Sequence, residues 1–78
     1  MNPQSIWLIG SAPDCNVSVP APAVSAYHCR LAQFPNGWMI EDLGSTNGTF
    51  VNGERLSALP YELNIEHDVI TISHYTIR

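Results

Sequence analysis

Ser25, His28 and Asp42 supply the side-chain types of a nucleophile, a base and an orienting acid. Hydrolysis by such a set needs an activated hydroxyl beside an oxyanion site and a carboxylate that holds the imidazole. On an extended segment, side chains three positions apart point to roughly opposite faces, so Ser25 and His28 are not expected to meet. No catalytic residue and no enzymatic activity are expected. His28, His67 and His74 form no close pair at ligand spacing, and Cys15 and Cys29 are isolated from each other, so neither a metal nor another cofactor is expected.

A second group of residues offers different chemistry. The run GSTNGTFVNG, residues 44–53, holds the Asn-Gly pair twice within a few positions. Asn-Gly favours tight turns because both residues tolerate positive φ cheaply. One hairpin needs one such turn, so the two pairs are expected to build separate loops. Gly48 lets the chain reverse into the strand TFV, and Asn52-Gly53 makes the next reversal. The first pair is flanked by Ser45 and Thr46, whose hydroxyls either cap the loop through backbone bonds or face outward to a ligand. Asn47 has the same two options, fixing its own loop or gripping a bound peptide.

The elements that must position these residues are strands. SIWLI (5–9) is a compact apolar run, and CNVSV (15–19) alternates with Cys15, Val17 and Val19 on one face. PAPAVSA (20–26) is an extended loop, since Pro20 and Pro22 lack amide donors. YHCRLAQF (27–34), a turn at 35–37 and WMIEDL (38–43) form a hairpin. TFV (49–51), DVITIS (68–73) and YTIR (75–78) are further strands, and SALPYELN (57–64) reads as a connection. No stretch carries a sustained helical period. Closely spaced short strands imply an all-β sandwich or barrel. The 78 residues, 1–78, suffice for a single small domain with a thin core.

Composition narrows the partners. Lysine is absent, the arginines are Arg30, Arg55 and Arg78, and the formal net charge is -4. Nucleic-acid binding begins with clustered cations, so no nucleic-acid partner is expected, and an anionic membrane surface is disfavoured for the same reason. No apolar run approaches the length of a membrane span, so no membrane insertion is expected. The N-terminus lacks the basic and apolar regions of a signal peptide. Cys15 and Cys29 read as small buried hydrophobes in strands, with reduced thiols. A cytoplasmic location is therefore expected, where the sequons at Asn16 and Asn47 carry no meaning.

The order of these motifs resembles a forkhead-associated (FHA) domain. The resemblance is carried by Ile9-Gly10, by VSAYH (24–28), by EDLGSTNGTFVNG (41–53) and by HDVITIS (67–73), and it covers most of the chain. It implies a β-sandwich of two antiparallel sheets, here without the family's first strands. It also implies a protein-interaction module whose loops read phosphothreonine in a peptide. A phosphate dianion brings about -1.5 to -2 charges and three strong acceptor oxygens, so donors must converge on it. By the family pattern, Ser25 and Thr46 give hydroxyls to the phosphate and Asn47 grips the peptide backbone. His28 is structural and ties its loop to a neighbour, while Gly10, Gly48, Asn52 and Gly53 shape the loops.

Two positions depart from that pattern. The family places an arginine directly after the Ile-Gly, where this chain has Ser11. It often places a second basic residue after the loop serine, where this chain has Ala26. Both cations expected in the pocket are missing. The reading is an FHA-like module with weak or absent phosphothreonine binding, which engages a protein partner independently of phosphate or associates with itself through an exposed edge strand. The competing reading is an ordinary phosphothreonine reader in signalling.

Overall fold

The structure, a computed structural model, describes residues 2–77. Its strands are β1 (Ser5–Gly10), β2 (Val17–Ser18), β3 (Cys29–Phe34), β4 (Gly37–Asp42), β5 (Thr49–Val51), β6 (Glu54–Arg55), β7 (Tyr61–Leu63), β8 (Ile70–Ile72) and β9 (Tyr75–Ile77). They form two packed sheets, one of order β2-β1-β3-β4-β7 and one of order β6-β5-β8-β9. This is the expected sandwich, and β1 is the strand that carries Ile9-Gly10.

The period-2 alternation of the sequence becomes the core. Ile9, Cys29, Ile40 and Leu63 face inward from the larger sheet, and Val51, Ile70 and Ile72 meet them from the smaller one. Each fully buried isoleucine contributes about 1.5–3 kcal/mol. Thr49 is buried beside them, with its hydroxyl bonded to Asp42. The cysteines are buried free thiols, and burial pushes Cys29 up to about 12 despite a hydrogen bond to Thr49.

Several features differ from the sequence reading. β2 runs parallel to β1, with Ile9 opposite Val17, so the larger sheet is mixed rather than wholly antiparallel. Cys15 lies in the bend before β2 rather than in a strand, because its thiol turns to the Ala26 carbonyl at 3.3 Å. The connection 57–64 contains β7, a short strand that pairs with β4 and buries Leu63.

The two Asn-Gly pairs do build separate loops. Asn52 and Gly53 have φ of 53° and 84°, which makes the two-residue turn that joins β5 to β6. Asn52 also ties this turn to a neighbour, donating to the Asp68 carboxylate at 2.9 Å and accepting the Val69 amide at 2.9 Å. In the other pair only Gly48 takes a positive φ, 90°, in the crossing from β4 to β5.

The inward face of the larger sheet is not fully covered toward the strand ends opposite Gly10 and Asp42. There Trp7, Leu31 and Trp38 share the inward face yet line an open cleft of about 470 Å³, and Trp7 stays 43% exposed.

Candidate functional site

The site begins where β1 ends. Beyond Gly10 the chain turns into a loop that lies against residues 25–26. The Ser11 amide donates to the Ser25 carbonyl at 3.0 Å, and the Ala12 amide donates to the Ala26 carbonyl at 3.1 Å. Gly10 is fixed by this approach, since a Cβ there would stand 2.1 Å from the Ala26 oxygen. Buried Val24 anchors the second loop in the core. Tyr27 donates to the Asp14 carboxylate at 2.9 and 3.1 Å, and that bond, with the charge of Asp14, pushes the phenol above its ordinary range. A negative charge therefore shares the loop that carries Ser11.

His28 joins four segments while fully buried. Its amide donates to the Ile9 carbonyl at 2.9 Å, and its carbonyl accepts from Leu43 at 3.0 Å. Its Nδ1 accepts the Ser25 amide at 3.1 Å. The ring proton therefore sits on Nε2, which donates to the Gly48 carbonyl at 2.8 Å. The expected opposition of Ser25 and His28 is corrected here. Residues 25–28 form a turn rather than a strand, which brings the Ser25 backbone against the ring. The case against hydrolysis now has a different ground: both ring nitrogens serve backbone groups, so His28 cannot act as a base for the Ser25 hydroxyl.

The third loop is shaped by Asp42, a role that the sequence reading missed. The carboxylate at the end of β4 accepts the Ser45 hydroxyl at 2.5 Å, the Thr49 hydroxyl at 2.7 Å and the amides of Gly44 and Ser45 at 3.1 Å. Burial pushes this carboxyl up, but the bonds from Ser45, Thr49 and Gly44 outweigh it and hold the group below its ordinary range. The Ser45 oxygen in turn accepts the Gly48 amide at 3.0 Å. The available signal was an Asp with Gly-Ser two and three residues on, in Asp42-Leu43-Gly44-Ser45, the spacing of a side-chain-capped turn.

The three loops close on one another. The Thr46 amide donates to the Ser25 hydroxyl oxygen at 3.1 Å, and the Asn47 side-chain amide donates to the Ala23 carbonyl at 2.8 Å. Ser11, Ser25, Thr46 and Asn47 are thus brought together. Because Ser25 Oγ accepts from Thr46, its own hydrogen is directed elsewhere. The hydroxyls of Ser11 and Thr46 engage no partner among the described residues, and one Asn47 amide hydrogen is spare. The cluster presents neutral donors suited to oxyanions. Ala26 adds only a methyl group, and Arg30 lies on the outer face of the larger sheet, paired with Glu41 at 2.9 Å.

Comparison with known proteins places this arrangement. The family model of the FHA domain matches residues 7–73. An ABC transporter ATP-binding/permease protein of Mycobacterium tuberculosis, Rv1747, is 41% identical over 66 residues, which is 85% of this chain and 7% of that protein's length. The crystal structure of the FhaA FHA domain complexed with the intracellular domain of Rv3910 superposes with a TM-score of 0.83 at 28% identity, covering 97% of this chain and 80% of that one. Mycobacterium tuberculosis EmbR, solved in complex with a low affinity phosphopeptide, gives a TM-score of 0.85 at 28% identity over 91% of this chain and 18% of its own. The sandwich, the loop motifs and these likenesses agree, and the chain belongs to the FHA domain family.

Proposed function

We propose that this chain is a non-enzymatic peptide-interaction module whose loop tips hold phosphothreonine weakly, with partner binding that depends little on phosphate. The observation that carries the reading is the bond between the Ser11 amide and the Ser25 carbonyl. It sets residue 11 beside the phosphate-binding serine, and residue 11 is uncharged. A hydrogen bond to a charged group is worth about 1.5–3 kcal/mol, against about 1 for a neutral one. Replacing a bidentate arginine by a serine therefore weakens binding by about one to two decades. Asp14 and the net charge of -4 act in the same direction. EmbR with its low affinity phosphopeptide supports a family range that reaches weak binders, and FhaA supports a protein domain as partner.

The test is titration with a phosphothreonine peptide library followed by amide chemical shifts. Weak shifts at residues 11, 25, 46 and 47 are expected, lost in Ser25→Ala. Ser11→Arg strengthens binding by about ten- to a hundredfold. Micromolar binding by the unaltered chain that disappears in Ser25→Ala overturns the weak-binding claim and makes this an ordinary reader.

The open edge of β1 favours self-association as a second mode. Among the described residues, only Ile9 and Gly10 of this strand pair with β2, the Leu8 amide donates to Asn16 Oδ1 at 2.7 Å, and Ile6 is 45% exposed on the stretch before it. Sedimentation equilibrium checks it: a monomer at all concentrations removes this mode.

A further inference from the structure

The cluster of neutral donors has no cation of its own, but one guanidinium lies against Gly48, the residue after Asn47. Arg55 sits in β6 opposite Phe50, on the outer surface of the smaller sheet, since Thr49 and Val51 take the buried positions. Its side chain reaches back past Phe50 to the start of β5. A Cβ on Gly48 would stand 2.7 Å from Arg55 Nε, 3.1 Å from Cζ and 3.2 Å from Cδ. The missing side chain at Gly48 is what makes room for the guanidinium. The carbonyl of Gly48 is bonded to His28 Nε2, and His28 Nδ1 holds the Ser25 amide. A single imidazole ring thus separates the residue beneath the guanidinium from the serine at the centre of the donors. Asn47 stands next to Gly48 in the same turn. Arg55 is exposed and forms no ion pair among the described residues, whereas Arg30 is occupied by Glu41.

We infer that Arg55 is the cation of this site and holds an anionic oxygen group of the peptide seated on Ser25, Thr46 and Asn47. The positive charge absent from the loop after Gly10 is supplied instead from β6, on the far side of Asn47. This rests on the loop-tip binding proposed above. A planar guanidinium matches two oxygens of either a phosphate or a carboxylate. The group is therefore the phosphate on the bound threonine or the side chain of a flanking Asp or Glu.

Two peptides separate these sources: a phosphothreonine peptide with alanine flanks, and an unphosphorylated threonine peptide with aspartate flanks. Each is titrated by amide shifts into the unaltered chain, Arg55→Gln and Arg30→Gln, at low and high salt. Arg55→Gln weakens the peptide whose anion it holds by about tenfold and flattens its salt dependence. Arg30→Gln, which removes the same charge elsewhere, leaves the affinity unchanged. A loss confined to the first peptide assigns the phosphate, and a loss confined to the second assigns the carboxylate. If Arg55→Gln changes neither affinity while Ser25→Ala abolishes binding, this inference is overturned and the proposed function stands. If neither peptide shifts the loop amides of the unaltered chain, both are overturned.

Discussion

Gly10→Ala tests the junction on which the site depends. Gly10 takes no positive φ, so the case rests on space alone. An added Cβ would lie 2.1 Å from the Ala26 oxygen, 2.8 Å from its carbon and 2.9 Å from the Ser25 oxygen, against ordinary contacts of 3.4–4 Å. All three atoms are backbone and cannot rotate aside, so the loop must retreat. Retreat breaks the bonds from Ser11 to Ser25 and from Ala12 to Ala26, each worth about 1 kcal/mol. Overpacking adds about 1–3 kcal/mol, and the lower entropy of the unfolded alanine chain returns about 0.4–1. The net loss is about 2–5 kcal/mol, a large share of the ~4–12 kcal/mol expected for a domain of this size. Urea unfolding followed by the fluorescence of Trp7 and Trp38 measures it. Gly53→Ala is the control, since nothing lies within 4 Å of a Cβ there and only its positive φ costs energy, about 1–2 kcal/mol. A Gly10→Ala loss under about 0.5 kcal/mol, with unmoved amide shifts at residues 25–28, refutes the close approach as the reason for this glycine.

The other side chains that join the loops give further expectations. His28→Ala leaves the Ser25 amide and the Gly48 carbonyl without their partner in a fully buried setting, and costs about 2–4 kcal/mol in the same denaturation assay. Asp42 has a folded pKa below its ordinary value of 3.8, so its contribution is complete above that pH and is lost as pH falls through the folded value. Acid unfolding curves should show stability falling below about pH 4, and Asp42→Asn should flatten that fall while costing about 1–2 kcal/mol at neutral pH.

The strands Thr49–Val51 and Ile70–Ile72 were legible as short apolar or β-branched runs bounded by turns. β7 was not, because it has three residues, follows Pro60 and buries only Leu63. The direction of β2 was equally hidden, since parallel pairing over Val17–Ser18 leaves no mark on alternation. At the site, the motifs identified which residues gather but not which atoms do the joining. Asn47 matched a peptide-gripping position, and one hydrogen of its amide is taken by the Ala23 carbonyl. Asp42 read as the end of a strand, because a carboxylate that organises a turn is recognised only when the amides it accepts are in view. Residues 25–28 read as extended because the imidazole that accepts the Ser25 amide is itself fixed through bonds to Ile9 and Gly48, both distant in sequence.

One division within the site explains how it keeps its shape without a cation at residues 11 and 26. Three positions that match the family pattern join one loop to another through their side chains, Ser25 to Thr46, Asn47 to Ala23 and His28 to Gly48, whereas the matching Thr46 contributes only its amide. The two that depart, Ser11 and Ala26, meet other loops only through backbone atoms, and their side chains bond nothing among the described residues. Shape is therefore a stability property here, and charge is a binding property placed at positions the fold does not need. Ser11→Arg should then leave the unfolding free energy within about 0.5 kcal/mol of the unaltered chain while it strengthens phosphopeptide binding. Ser25→Ala should lower both stability and binding, because its oxygen holds the Thr46 amide. If Ser11→Arg destabilised the domain as much as Ser25→Ala does, shape and charge would not be separable in this site.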